Sequence, residues 1–247
     1  MLRMIACDLD GTLLPKGEMV LSGEVLDTVR YVTDKGAYFA VCSGRPYHEL
    51  RRLFQPVHNR IIYISHDGAL AMLRNCVQYK RPLVKSLLEE TIVQTAEKCE
   101  GILFMGKENT YCPACKPDLY MPLRQRYGTN IQKTENLNAM GEELLKLCYY
   151  KYKGEFPVPE GMRIAFQDSE WLELTCGHAD KGRALHAVCR RLGVDTAQVA
   201  AFGDGENDLP MFAAVGHRYA VSPKCEAVIQ AADEIITDVS VKIKEIL

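Results

Sequence analysis

"MIACDLDGTLL", residues 4–14, runs a short apolar segment straight into two carboxylates, Asp8 and Asp10, one residue apart. An apolar run this short, bounded by polar residues, suits a strand covered on both faces, as in a parallel sheet. Alternate residues of an extended chain point the same way, so Asp8 and Asp10 are directed at one target. Like charges at that spacing repel, and a strand end carrying both needs a positive partner.

Three further segments share the pattern: "AYFAVC" (37–42), "RIIYIS" (60–65) and "QVAAF" (198–202). Helical stripes separate or follow them. Val25, Val29 and Val32 share one helix face that Gly36 would end. Tyr47, Leu50 and Phe54 mark a second helix, with Pro46 in its first turn. Ala184, Leu185, Val188, Cys189 and Leu192 form a third stripe before Gly193, and Leu209, Phe212 and Val215 a fourth before Gly216. Strands alternating with helices at this spacing predict an α/β fold with an open parallel sheet.

The middle of the chain has another texture. One amphipathic helix (Leu87, Leu88, Ile92, Ala96, Cys99) follows Pro82, then strand-like pieces such as "ILFM" (102–105) and "KLCYYKY" (146–152). "MRIAFQ" and "WLELT" read as a hairpin around Asp168-Ser169. This is an α+β insert, expected over residues 82–176, which leaves a discontinuous core of 1–81 and 177–247.

Bulk properties narrow the function. The 247 residues carry a formal net charge of −2, with both signs scattered. No basic block suggests a nucleic-acid partner, and no long apolar run or lysine-rich amphipathic stretch suggests a membrane. The N-terminus does not read as a secretory signal, so a cytoplasmic protein is expected. Of the ten cysteines, Cys7, Cys42, Cys148 and Cys189 sit in apolar segments as small hydrophobes. Cys112 and Cys115 form a lone CxxC pair with no second pair to complete a zinc site.

In an open parallel sheet, ligands bind beyond the carboxyl ends of the strands. There stand "DLDGT" (8–12), "SGRP" (43–46) and "GDGENDLP" (203–210), while "HADKGRAL" (178–185) opens the helix on re-entry to the core. Asp8, Asp10, Asp204 and Asp208 are tolerable together around a hard cation, and Mg2+ prefers a few carboxylates plus water and phosphate oxygens. Lys181 adds a positive charge, Ser43 and Thr12 add hydroxyls, and glycines 11, 44 and 203 let backbone N–H groups approach an anion.

These four stretches, in this order and with a cap-sized gap between Ser43 and Lys181, resemble the motifs of the haloacid dehalogenase superfamily. In order and spacing they resemble those of its Cof-type phosphatases, which carry a C2-type cap. The resemblance implies a Rossmann-like core, an inserted α+β cap, and Mg2+-dependent hydrolysis of small phosphorylated metabolites, sugar phosphates among them. It further implies that Asp8 is the nucleophile that becomes an aspartyl-phosphate, and that Asp10 is the acid and base. Mg2+ would be held by the Asp8 carboxylate, the Asp10 main-chain carbonyl and Asp204, with Asp208 behind them. Ser43, Thr12, Lys181, Asn207 and the N–H groups of Leu9 and Gly44 would grip the phosphate.

Asp67, in "SHDGA", and Ser222, in "YAVSPKCEA", stand where these proteins commonly carry Asn. The last helix also lacks the glycine that usually precedes it. Asp67 is expected to add negative charge at the rim and hinge of the site. Arg45 either orients substrate or makes a surface salt bridge. His66 and His178 read as loop residues with satisfied hydrogen bonds, and Trp171 and the cap tyrosines as cap core. A phosphomutase of the phosphomannomutase type would need a second phosphate site, for which Arg124, Arg126 and Arg163 are few and scattered. A non-catalytic phospholigand-binding protein would have no need of the full acidic set.

Overall fold

The first strand, β1 (Met4–Asp8), is buried along its whole length, as its unbroken apolar run requires. The computed structural model describes residues 1–15, 17–112, 119, 121, 131–134, 137–223 and 225–247. Cys115, Arg124 and Arg126 lie outside the described residues. The chain divides into two compact units. One comprises Met1–Arg45, Leu50–Lys80 and Asp180–Leu247; the other comprises Pro46–Glu49 and Arg81–Ala179.

After β1 come α1 (Gly23–Asp34), β2 (Tyr38–Cys42), α2 (Tyr47–Leu53), β3 (Ile61–Ser65), β4 (Leu70–Leu73) and β5 (Cys76–Lys80). The Ser22 hydroxyl caps α1 by accepting from the Val25 N–H, and the predicted valine face is buried. Thr28 of that helix also donates to Ser240 Oγ at 2.9 Å. Full burial of a side chain such as Val29 contributes about 1.5–3 kcal/mol.

The second unit contributes α3 (Lys85–Thr95), then β6 (Gly101–Met105), β7 (Thr110–Cys112), β8 (Ile131–Lys133), β9 (Lys146–Tyr150), β10 (Met162–Gln167) and β11 (Trp171–Cys176). Its sheet runs β10-β11-β9-β6-β7-β8, antiparallel except for the β7–β8 pair. Alternation splits the strands cleanly. Leu147 and Tyr149 face one way, into a cluster with Leu88, Phe104 and Leu174. Cys148 and Tyr150 face the other, with Leu103, Met105 and Trp171. Trp171 packs on Tyr150 with centroids 4.7 Å apart, so it is core of this unit. Arg163 donates through Nε to the Ala179 carbonyl at 2.7 Å.

The chain then forms α4 (Lys181–Leu192), β12 (Val199–Gly203), α5 (Leu209–Ala213), β13 (His217–Val221), α6 (Glu226–Ala231), β14 (Glu234–Ile236) and α7 (Val239–Ile246). The large sheet runs β14-β13-β12-β1-β2-β3-β4-β5. It is parallel from β14 to β3, while β4 and β5 add as an antiparallel edge. Strands β13 and β14 begin on His217 and Glu234, and β5 is half-exposed; an apolar-run reading does not find such strands. The predicted stripe ending at Val215 yields a helix that stops at Ala213, because Gly216 turns away to donate to the Thr196 carbonyl at 3.0 Å.

Candidate active site

The chain leaves β1 toward β2 on one side and returns to β12 on the other, so β1 marks the topological switch point. Registers Asp8↔Cys42 and Cys7↔Phe202 set the carboxyl ends of β2, β1 and β12 side by side. Asp8 is the last residue of β1, Ser43 follows β2, Asp204 follows β12, and Lys181 is the first residue of α4. Asp180 caps that helix by accepting from the Arg183 N–H at 2.7 Å, which fixes where Lys181 starts.

Lys181 Nζ lies 2.6 Å from Asp8 Oδ1 and 2.7 Å from Asp208 Oδ1. Asp208 Oδ2 accepts from the N–H groups of Asp204 (3.0 Å) and Gly205 (3.2 Å). A Cβ at Gly203 would stand 2.5 Å from Asp208 Oδ2, so only glycine lets this carboxylate tuck under the strand end. Asp8, Asp204 and Asp208 each offer an oxygen within 4.8 Å of the others, and all three are buried. Burial pushes the Asp8 carboxyl up to about 8; Lys181 opposes the rise, and Asp208 and Asp204 add to it. Burial disfavours the Lys181 ammonium, yet Asp208 and Asp8 outweigh it and hold its pKa above the usual lysine value.

Among the described residues, three buried carboxylates thus gather around one ammonium. A divalent cation among them would offset the excess and favour ionised Asp8, and all-oxygen donors of this kind suit Mg2+. A second sign of a ligand lies nearby in sequence: Thr12 Oγ1 is buried without a hydrogen-bond partner among the described residues.

A family model described as haloacid dehalogenase-like hydrolase matches residues 5–241. The chain belongs to this family. The hydrolase is 22% identical over 241 residues to the 5-amino-6-(5-phospho-D-ribitylamino)uracil phosphatase YbjI of Escherichia coli, covering 94% of this chain and 89% of that protein. It is 25% identical over 230 residues to the HMP-PP phosphatase of Serratia proteamaculans, covering 88% and 82%. Its fold is that of a haloacid dehalogenase-like hydrolase from B. subtilis, with a TM-score of 0.83 at 19% identity over 99% and 100% of the two chains.

Of the residues singled out from sequence, Asp8, Lys181, Asp204 and Asp208 converge in this hydrolase. Ser43 is buried and anchored by its N–H to the Ile64 carbonyl at 2.8 Å. Buried Leu9 accepts at its carbonyl from the N–H groups of residues 12, 13 and 14, which curls the chain after β1. Asn207 lies exposed on the turn before α5. Asp10 lies outside the carboxylate cluster and pairs with Arg45.

Asp67 requires a correction: it is buried, not placed at a charged rim. Its backbone is left-handed (φ 52°, ψ 37°), a conformation that Asp and Asn tolerate better than most residues, so an Asn-to-Asp exchange keeps the turn. Its N–H donates to the Ser43 carbonyl at 3.2 Å. Its carboxylate fills the space beside Gly44, where a Cβ would stand 2.9 Å from Oδ1. Buried His66 has Nδ1 3.0 Å from Ser65 Oγ, and His178 is exposed.

Proposed function

We propose that this hydrolase is a Mg2+-dependent phosphatase of small phosphomonoesters, sugar phosphates among them, that works in the cytoplasm through an aspartyl-phosphate on Asp8. One observation carries the reading: Lys181 is held between Asp8 and Asp208, with Asp204 beside them in a buried, acid-rich cluster. The named activities of the E. coli and S. proteamaculans relatives are of the same class. Residues 1–81 and 177–247 form the catalytic core, and 82–176 form the cap domain that selects the substrate.

The Asp8 carboxylate, the Asp10 main-chain carbonyl and Asp204 would hold Mg2+, with Asp208 behind them; the bound ion would neutralise charge on the carboxylates and on the phosphoryl oxygens. Asp8 attacks phosphorus as the bond to the leaving oxygen breaks. Asp10 gives its proton to that oxygen, then takes one from the water that attacks phosphorus and releases Asp8. Ser43, Thr12, Lys181, Asn207 and the N–H groups of Leu9 and Gly44 position the phosphoryl group, which is where most of the catalysis of this reaction resides. Arg163, one of the arginines a mutase would use, is occupied by backbone carbonyls.

The test is phosphate release from a panel of phosphomonoesters, with Mg2+ and with a chelator. Release that requires Mg2+ and vanishes in Asp8→Asn is expected. Wild-type protein inert toward the whole panel, or undiminished turnover by Asp8→Asn, would overturn the proposal.

A further inference from the structure

Asp10 differs from the other acids of the site. Its side chain is 51% exposed, whereas that of Asp8 is 6% exposed and that of Asp208 fully buried. It sits on the turn after β1, where a lone aspartate samples several rotamers. Among the described contacts its carboxylate has one polar partner, Arg45, which donates through Nε to Oδ2 at 2.9 Å and through Nη2 to Oδ1 at 2.6 Å. Such a planar fork engages both oxygens and fixes the carboxylate's rotation as well as its position.

Arg45 is itself held. Its N–H donates to Ser43 Oγ at 3.1 Å, and its carbonyl accepts from the His66 N–H at 3.1 Å. Ser43 in turn is tied by its N–H to Ile64 and by its carbonyl to the Asp67 N–H. His66 and Asp67 are both left-handed, so two consecutive non-glycine residues keep an unfavourable backbone conformation in order to clamp this loop. A rigid loop therefore ends in a fork that grips a half-exposed aspartate on another loop. An ion pair this exposed contributes little to folding, so stability does not account for the arrangement.

We infer that Arg45 is a positioning residue for Asp10, an inference that rests on the phosphatase reading above. Arg45 restricts Asp10 to the arc from which its proton reaches the departing oxygen as the oxygen–phosphorus bond breaks and the bond to Asp8 forms. Loss of such orientation from a group outside the chemistry costs on the order of 100-fold in rate. The competing role is direct capture of the substrate's leaving group by Arg45, and the two separate in kinetics.

The experiment compares an alkyl phosphate, whose leaving oxygen needs a proton, with p-nitrophenyl phosphate, whose leaving group departs without one. Each is assayed as kcat/KM, which reports the steps through leaving-group departure, in wild type, Arg45→Ala, Arg45→Lys, Asp10→Ala and the Asp10→Ala/Arg45→Ala double variant. Arg45→Ala should lower kcat/KM for the alkyl ester by roughly 30–100-fold, through kcat rather than KM, and for the nitrophenyl ester by less than about threefold. Arg45→Lys, which keeps the charge and loses the fork, should recover part of the loss. In the Asp10→Ala background, Arg45→Ala should have no further effect. Equal losses on both esters with a raised KM, additive with Asp10→Ala, would overturn the inference in favour of substrate capture. Wild-type protein inert toward both esters would instead overturn the phosphatase reading, and this inference with it. Because both side chains are partly exposed, unchanged thermal midpoints are expected and separate misfolding from lost orientation.

Discussion

Lys146 and Lys181 are each 1% exposed and each is bonded to a carboxylate at 2.6–2.7 Å, yet they stand in opposite situations. Lys146, in the sheet of the inserted unit, meets Glu173 across neighbouring antiparallel strands, an ammonium against a carboxylate. Lys181 is shared by Asp8 and Asp208, and Asp204 stands within reach of both carboxylates. The first contact is closed in the sense that an ammonium meets a carboxylate, and their attraction works against their joint desolvation. The second is open, because three buried acids gather at one ammonium among the described residues, an excess that a ligand of positive charge can meet. Buried charge alone therefore does not mark a site; an imbalance of buried charge at the carboxyl ends of parallel strands does.

The largest test of this contrast is chemical. Asp8→Asn should keep the fold and lower turnover by roughly 10⁴-fold or more, since no other group can replace the nucleophile. Circular dichroism and phosphate release, measured together, check it. Charge removal should come next. Lys181→Met leaves two buried carboxylates facing each other and should cost about 3–5 kcal/mol by urea unfolding in chelator. Lys146→Met or Glu173→Gln alone should cost a similar amount. Here the two regions should part: the double variant Lys146→Met/Glu173→Leu should regain most of that stability, because a closed pair can be exchanged for apolar volume. A double variant as unstable as its singles would break the comparison.

Ligand linkage gives a smaller effect. Mg2+ at about 100 times its dissociation constant should stabilise the protein by about 2.7 kcal/mol, visible as a raised thermal midpoint. Asp204→Asn should blunt that shift, whereas the Lys146/Glu173 variants should leave it intact. Smallest is an exposed pair, Arg218 with Asp233 at 2.5 Å. Hydrogen bonding from Arg218 holds the Asp233 carboxyl below its ordinary value of 3.8. The stabilisation is thus present above pH 3.8 and fades as pH falls through the lower folded value. Solvent screening limits it to about 1 kcal/mol or less. Asp233→Asn should narrow the difference in urea midpoint between pH 7 and pH 3 by no more than that.

Much of this was legible in the chain. Continuous apolar runs ending on polar residues place Asp8, Ser43 and Asp204 at strand ends, because a strand buried on both faces must stop where polar groups begin. Other elements were hidden. The strands starting at His217 and Glu234 open on polar residues, and β5 is an exposed edge whose pairing comes from its neighbour rather than from its own pattern. Asp67 reads from the sequence as added charge at the rim and hinge, but its left-handed backbone and its burial beside Gly44 depend on the loop that folds over it.

By itself, then, the sequence determined the open parallel sheet, the α+β insert and the acids, lysine and hydroxyls beyond the strand ends, because periodicity and composition act over a few residues. Tertiary structure decided which of those groups meet. Lys181 joins Asp8 across 173 residues and Asp208 across 27. Arg45 reaches Asp10 across 35 residues, and Asn207 stays at the surface. Pairing between distant loops depends on register, helix placement and the clamping of individual turns, none of which a local pattern encodes.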